Sequence, residues 1–248
     1  MRLPRHRDSG SGKHGDKGMG LSADEWTAIW LSLKIAVVAT TASLPFGIFI
    51  SYALARWEFP GKIFINGLIH MPLVLPPVVT GFILLIVLGR KGIIGSYLAE
   101  IGIVFSFRWT GAAVAAAVMG FPLMVRAMRL SFESIDQRLE NAAGTLGANP
   151  IATFFLVSLP LAVPGIIVGV ILAFAKSLGE FGATITFVSN IPGETQTIAA
   201  AIYTYTQVPG GDENAIRLTL ISAGLALLTL LISELVQKRA EKRLALQA

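Results

Sequence analysis

The chain contains no cysteine, which excludes a disulfide framework, a thiolate nucleophile, a Cys-type zinc site and a Cys-ligated iron–sulfur cluster. Charge is also scarce. Only 14% of the 248 residues are Asp, Glu, Lys or Arg and 54% are hydrophobic, whereas ordinary soluble domains carry about 25% charged residues. A water-soluble globule is therefore a poor fit. The three histidines, His6, His14 and His70, stand far from any His/Asp/Glu cluster; His70 reads better as a helix-packing or interfacial residue than as a ligand or base, and no metal site is expected. No G-x-x-x-x-G-K-[ST] run occurs, so the chain should not hydrolyse ATP by itself. Gly10-Ser11-Gly12-Lys13-His14-Gly15 matches G-x-G-x-x-G literally, but it follows no strand and opens no helical pattern, so it reads as chance. Neither a serine with a partnered base nor an aspartate inside an apolar run is present, which leaves a membrane-embedded enzyme poorly supported.

What the chain does have is long uncharged runs. Crossing a hydrocarbon core of about 30 Å takes roughly 20 helical residues. Ile35 to Ala55 is 21 residues without a charge, with apolar character reaching back to Ile29. Ile63 to Gly89 is 27 residues whose one ionisable side chain is His70, and Asn141 to Ala175 is 35 residues whose apolar part begins near Ile151. Two shorter runs, Trp109 to Val125 and Leu218 to Ser233, reach spanning length because Arg126, Arg217 and Glu234 can extend to the interface. The fold expected is an all-α integral membrane protein of about five transmembrane helices. Thr195 to Gly211 is uncharged but rich in Thr, Gln and Tyr, which suits a re-entrant or interfacial helix.

Residues 1–24 read as a disordered polar tail, 25–240 as the transmembrane domain with a polar connector at about 131–150, and 241–248 as a cytoplasmic tail. Five spans put the termini on opposite sides. With the C-terminus inside, nine Lys and Arg lie on each face, but five of the outer nine belong to the N-terminal tail. Translation from Met19 would drop that tail and leave nine inside against four outside. The C-terminus is therefore taken as cytoplasmic.

The connector Arg126 to Pro150 carries helix punctuation. Ser134-Ile135-Asp136-Gln137 fits a capping box and Gly147 suits a C-terminal cap, so the spacing predicts a helix from about Ile135 to Leu146. Asn149 and Pro150 then restart a helix as N-cap and N1, directly into the fourth span. Such a helix, with its small Ala142 and Ala143, either lies on the membrane as a connector or enters a partner's groove.

Asn141-Ala142-Ala143, then Gly147 four residues on, then Val157-Ser158-Leu159-Pro160 resembles the EAA loop, E-A-A-x3-G-x9-I-x-L-P, of inner-membrane permeases of ABC importers. Asn141 replaces the usual Glu and Val157 the usual Ile; Glu140, one position earlier, points about 100° away around a helix. Trp57-Glu58-Phe59-Pro60-Gly61-Lys62, Leu73 to Gly81 and Ser177 to Asn190 are similar to molybdate-type permeases, close relatives of sulfate permeases. The resemblance implies an importer-permease core in a bacterial inner membrane. It also implies a second permease copy, two ATPase subunits that carry ATP and Mg, an extracytoplasmic oxyanion-binding protein, surrounding lipid and no nucleic acid. This chain would bind no cofactor. Asn141, Ala142, Ala143, Gly147, Leu159 and Pro160 would form the ATPase-coupling loop, and the cargo would be molybdate, or alternatively tungstate or sulfate.

Pro72, Pro76, Pro77 and, in the third span, Pro122 remove helix hydrogen bonds, and broken helices persist in membranes only against protein or water. They therefore mark spans beside a translocation path, or simple packing kinks. Ser177, Glu180, Thr184, Thr186 and Asn190 are candidate lining residues, because a dianion is repelled by free carboxylates and trapped by free lysines. Lys176 and Glu180, at i and i+4, either neutralise each other or serve the path. Gly165 and Gly169 form G-x-x-x-G, for packing within one chain or at a dimer seam. A secondary transporter or channel is the competing class, though no internal repeat supports it.

Overall fold

A computed structural model describes the backbone over residues 21–245 and side-chain surroundings over 21–235. Residues 1–20, which hold His6, His14, Met19 and the glycine-rich match, and residues 246–248 lie outside the described residues; most of the 1–24 tail reading falls there, while 241–245 of the 241–248 tail belong to the last helix.

Among the described residues, every regular element is helical. The first, α1 (Ala23–Arg56), starts on a capping box in which Ser22 Oγ accepts from Glu25 N at 3.2 Å and the Glu25 carboxylate accepts from Ser22 N at 2.7 Å. Next come α2 (Lys62–Val74) and α3 (Pro77–Leu88), bent by 118° at Leu75 and Pro76. Pro77 sits at the first helical position, where a missing N–H costs nothing. A short α4 (Gly95–Glu100) leads to α5 (Trp109–Ser134), which continues unbroken through Pro122. The polar connector forms α6 (Gln137–Thr145) and α7 (Pro150–Thr153), followed by a π-helical turn, Phe154–Ser158, and by α8 (Leu159–Leu178). Then α9 (Gly182–Val188), α10 (Ile198–Thr206) and α11 (Asp212–Ala245) complete the described residues.

Four segments, Ala23–Arg56, Trp109–Ser134, Pro150–Leu178 and Asp212–Leu235, are long and apolar enough to cross a membrane, and the bent α2–α3 pair, taken as one broken span, brings the number to five. This agrees with the five crossings read from the uncharged runs. At nine residues α10 covers about 13 Å, too short to span, as the polarity of Thr195 to Gly211 foretold.

One local expectation needs correction. Ser134 does not cap the connector helix: it is the last residue of α5 and its Oγ donates to Ser131 O. Asp136 is the N-cap instead, accepting from Arg138 N at 2.9 Å, because a charged carboxylate is the stronger acceptor and Ile135 is drawn into the core. Asn149 and Pro150 start the fourth span as N-cap and N1, as expected, and that span widens into a π-helical turn at Phe154–Ser158. Pro160 has no N–H for the carbonyl of Leu156 and its ring crowds that carbonyl, so the widened turn at Phe154–Ser158 relieves the clash. Tyr52 braces that turn with its ring 4.8 Å from Phe154 and 5.4 Å from Phe132.

The central helix is α5: 61% of its apolar window is buried, against 11% for the last span. It packs on α1 and α8 through small residues. Gly165 and Gly169 both face α5, where added Cβ atoms would meet Ser131 and Ala127 at the first and Met124 O, at 2.9 Å, at the second. The G-x-x-x-G pair therefore serves packing within one chain. At the far end, α11 is tied to α1 by Arg217, whose Nε donates to the fully buried Glu25 at 3.1 Å. Thus α1, α5 and α11 run toward the α6 end of the bundle and α8 runs away from it.

Candidate functional site: an exposed helix between the third and fourth spans

The most prominent feature at one end of the bundle is α6, a short helix that shows most of its surface. Leu139 is 50% exposed and Leu146 88% exposed, while Asn141, Ala142 and Gly147 are also exposed and Ala143 is half-buried. Its C-terminus is a Schellman closure. Gly147 takes φ +90°, Ala148 N donates to Ala143 O at 3.0 Å and Gly147 N donates to Gly144 O at 3.0 Å. A Cβ on Gly147 would meet no described atom within 4 Å, so glycine is required by the backbone angle and not by crowding. Two residues later Asn149 Oδ1 accepts from Ala152 N at 2.8 Å and starts α7. Stops and starts so close together make this segment a rigid elbow.

What holds the elbow to the bundle is Glu140. Its carboxylate accepts from Arg56 Nε, at 3.0 Å to the nearer oxygen, and from Ser158 Oγ at 2.7 Å, while Arg56 Nη2 donates to Ile135 O at 3.0 Å. The side chains of Arg56 and Glu140 are 8% and 14% exposed, so this is a nearly dry junction of α1, α6 and the π-helical turn. The rotation that keeps Glu140 off the Asn141 face turns it inward. Sequence reasoning missed this role. The one available signal was that Arg56 is the first charge after a 21-residue uncharged run, at a span end that needs a partner. Of the other residues expected in the loop, Leu159 is half-buried and Pro160 exposed, both at the start of α8 behind the elbow.

The five lining candidates separate into two groups. Ser177, Glu180 and Thr184 are buried within the chain: Ser177 Oγ donates to Ala116 O at 3.3 Å and Thr184 Oγ1 to Phe181 O at 2.8 Å. Thr186 and Asn190 are half-exposed; Thr186 donates to Gly182 O, and Asn190 Nδ2 to Thr204 Oγ1 at 2.7 Å, while Asn190 Oδ1 is buried without a described partner. Glu180 does two things in the break between α8 and α9. It pairs with Lys176 Nζ at 2.8 Å and accepts from Ala183 N at 2.9 Å, closing the first turn of α9. Lys176→Met alone should therefore lower folded yield more than Lys176→Met with Glu180→Gln, since the single change strands a buried carboxylate and Gln keeps the acceptor for Ala183. Equal losses, read by size-exclusion recovery, would contradict the pairing.

Facing this break is the other one. Gly81 of α3 lies against the backbone of Ala183, and Gly182 lies against Pro77, so the interrupted segments α3 and α9 pack through glycine contacts. By contrast α2, although fully described, has no buried residue: Ile63, Phe64 and Val74 are 89%, 74% and 85% exposed. Lys34, the remaining charge in an apolar stretch, sits 3.6 Å above the Trp109 ring in a cation–π contact.

Four to five apolar crossings, an exposed elbow before the Pro150–Leu178 span and a broken segment left uncovered describe a multi-pass membrane protein. The chain belongs to the family of binding-protein-dependent transport system inner membrane components, whose model matches residues 43–245. It is similar to the molybdenum transport system permease protein ModB of Escherichia coli (strain K12), 57% identical over 226 residues that cover 91% of this chain and 99% of that one. The protein of the same name from Haemophilus influenzae is 54% identical, with 89% and 96% covered. In fold it resembles a bacterial ABC transporter involved in the import of alginate, with a TM-score of 0.71 at 19% identity, over 88% of this chain and 80% of that chain.

Proposed function

We propose that the chain is the permease subunit of an ATP-driven molybdate importer in a bacterial inner membrane. Two copies form the passage, two ATPase subunits supply ATP and Mg chemistry from the cytoplasm, and an extracytoplasmic protein delivers the oxyanion; this chain itself holds no cofactor. The observation that carries the reading is α6, a doubly capped and exposed helix fastened by Glu140, Arg56 and Ser158. Nucleotide-driven movement of a partner seated on Asn141, Ala142, Leu146 and Gly147 would pass through that junction to α1 and α8. Such coupling needs a stiff contact, because ATP biases inward- and outward-facing states only as far as it favours one.

In this reading the uncovered face of α2 and the break at Leu75 and Pro76 wall the passage, and the half-exposed Thr186 and Asn190 are candidate polar lining. Ser177, Glu180 and Thr184, buried within the chain, hold the break between α8 and α9 against α5 and α3. Specificity for molybdate rests on the names of the similar proteins, with tungstate and sulfate as the competing cargoes.

The test is reconstitution of this chain in liposomes with its ATPase and binding protein, and measurement of labelled molybdate uptake. Uptake that needs ATP and both partners, and that sulfate suppresses only in large excess, is the expected result. Molybdate entry through this chain alone would overturn the reading, and preferential sulfate entry would reassign the cargo.

A further inference from the structure

The cavities beside α1 are walled almost wholly by aliphatic and aromatic side chains, but one of about 340 Å³ is polar. It lies between α2 and the α6 end of α5 and is lined by Asn66, His70, Arg126, Arg129, Leu130 and Glu133. Glu133 is engaged by Arg129, whose Nε donates to it at 2.7 Å while Nη1 donates to Asn66 Oδ1 at 3.1 Å. The Asn66 amide nitrogen has no partner among the described residues, and the two bonds fix the Arg129 guanidinium in place. Arg126, one turn earlier on α5, is exposed and makes no hydrogen bond or ion pair with any described residue. His70 Nδ1 lies 2.8 Å from Asn66 O and so donates to it, leaving Nε2 as its other ring nitrogen. The fixed charges sum to one net positive: two guanidinium groups against one carboxylate.

We propose that this pocket binds a tetrahedral oxyanion at the cytoplasmic mouth of the passage, with Arg126 as its principal ligand and Arg129 and the Asn66 amide as supporting donors. A guanidinium fork matches paired oxygens of such an ion, and a concave site of this size fits a small anion and not a protein segment. The charge balance explains why the site can sit on a transport route. Two free arginines would hold a dianion, whereas Glu133 offsets one of them, so binding is weak enough for release. The proposal deepens the transport reading and rests on it for the identity of the arriving anion. The same chemistry recognises a lipid phosphate, and the two sources are separable.

The test uses the permease–ATPase complex without nucleotide or binding protein. In zwitterionic phosphatidylcholine nanodiscs, calorimetric titration with molybdate should give a weak, salt-sensitive Kd, raised about tenfold or more in Arg126→Gln and largely restored in Arg126→Lys. In nanodiscs containing phosphatidylglycerol, native mass spectrometry of retained lipid gives the second arm. Loss of phosphatidylglycerol retention in Arg126→Gln with no effect on molybdate would support the pocket and assign it to lipid phosphate. Molybdate binding and lipid retention that are both absent, or both unchanged by Arg126→Gln, would overturn it. ATP-driven uptake by the wild-type complex with its binding protein is run alongside: its absence would sink the transport reading, while normal uptake with unaltered binding in the variant would sink the pocket alone.

Discussion

Glu140→Ala should leave the five crossings folded yet reduce ATP-driven uptake about tenfold or more. Removing one member of a nearly dry ion pair costs about 3–5 kcal/mol, and both side chains here are largely hidden from water. In this chain the cost has a local outlet. No residue of α6, a fully described helix, is buried, so it can lift away and return Arg56 to solvent without opening the core. The loss is then expressed as a population of undocked elbow and not as global unfolding. Arg56→Lys should fall between wild type and Arg56→Ala, since an ammonium can pair with Glu140 but cannot also bridge to Ile135 O in the guanidinium geometry. Thermal stability in detergent and uptake in liposomes, measured on the same preparations, separate the two effects. Normal uptake by Glu140→Ala would mean that the junction has no part in coupling.

The second large effect is expected at the α5–α8 seam. A side chain at Gly165 would overlap Ser131 and lie 3.1 Å from Ala127 O, on the helix that forms the centre of the bundle. Overpacking typically costs about 1–3 kcal/mol, and an overlap with the Cβ of Ser131, which cannot move without its helix, belongs at or above that range, so Gly165→Val should yield little folded protein. Ser131→Gly with Gly165→Ala should recover most of the yield by moving the small residue across the seam. The control is Gly224→Ala in α11, where an added Cβ meets no described atom within 4 Å and removal of a helix-interior glycine should be neutral or slightly stabilising. Folded yield of Gly165→Val equal to wild type would show that α5 and α8 do not pack as described.

These two sites also mark where sequence reasoning stops. The crossings were legible because the bilayer core excludes charge, and long uncharged runs are a one-dimensional signal. The caps at Gly147 and Asn149-Pro150 were legible because they depend on backbone angles that few residues tolerate. Ser134 misled because a four-residue match does not weigh one acceptor against a stronger one two positions later. The Arg56–Glu140 junction joins residues 84 apart in sequence, and nothing in the spacing shows which face of α6 turns inward. The same limit applies to Gly165 and to the lining candidates. Spans that are apolar on every side carry no stripe to say which face meets protein, so Ser177 and Thr184, which donate to backbone carbonyls inside the chain, could not be told from Thr186 and Asn190 at the surface.

The central claim is that α6 faces the cytoplasm and touches the ATPase. Because the chain has no cysteine of its own, Leu146→Cys places a single thiol on the most exposed leucine of the elbow. In the assembled complex, a short bifunctional maleimide should join it to the ATPase subunit, with a yield that changes when ATP is added. Labelling of that thiol by an impermeant maleimide from the outer side, with no adduct to the ATPase, would contradict the account.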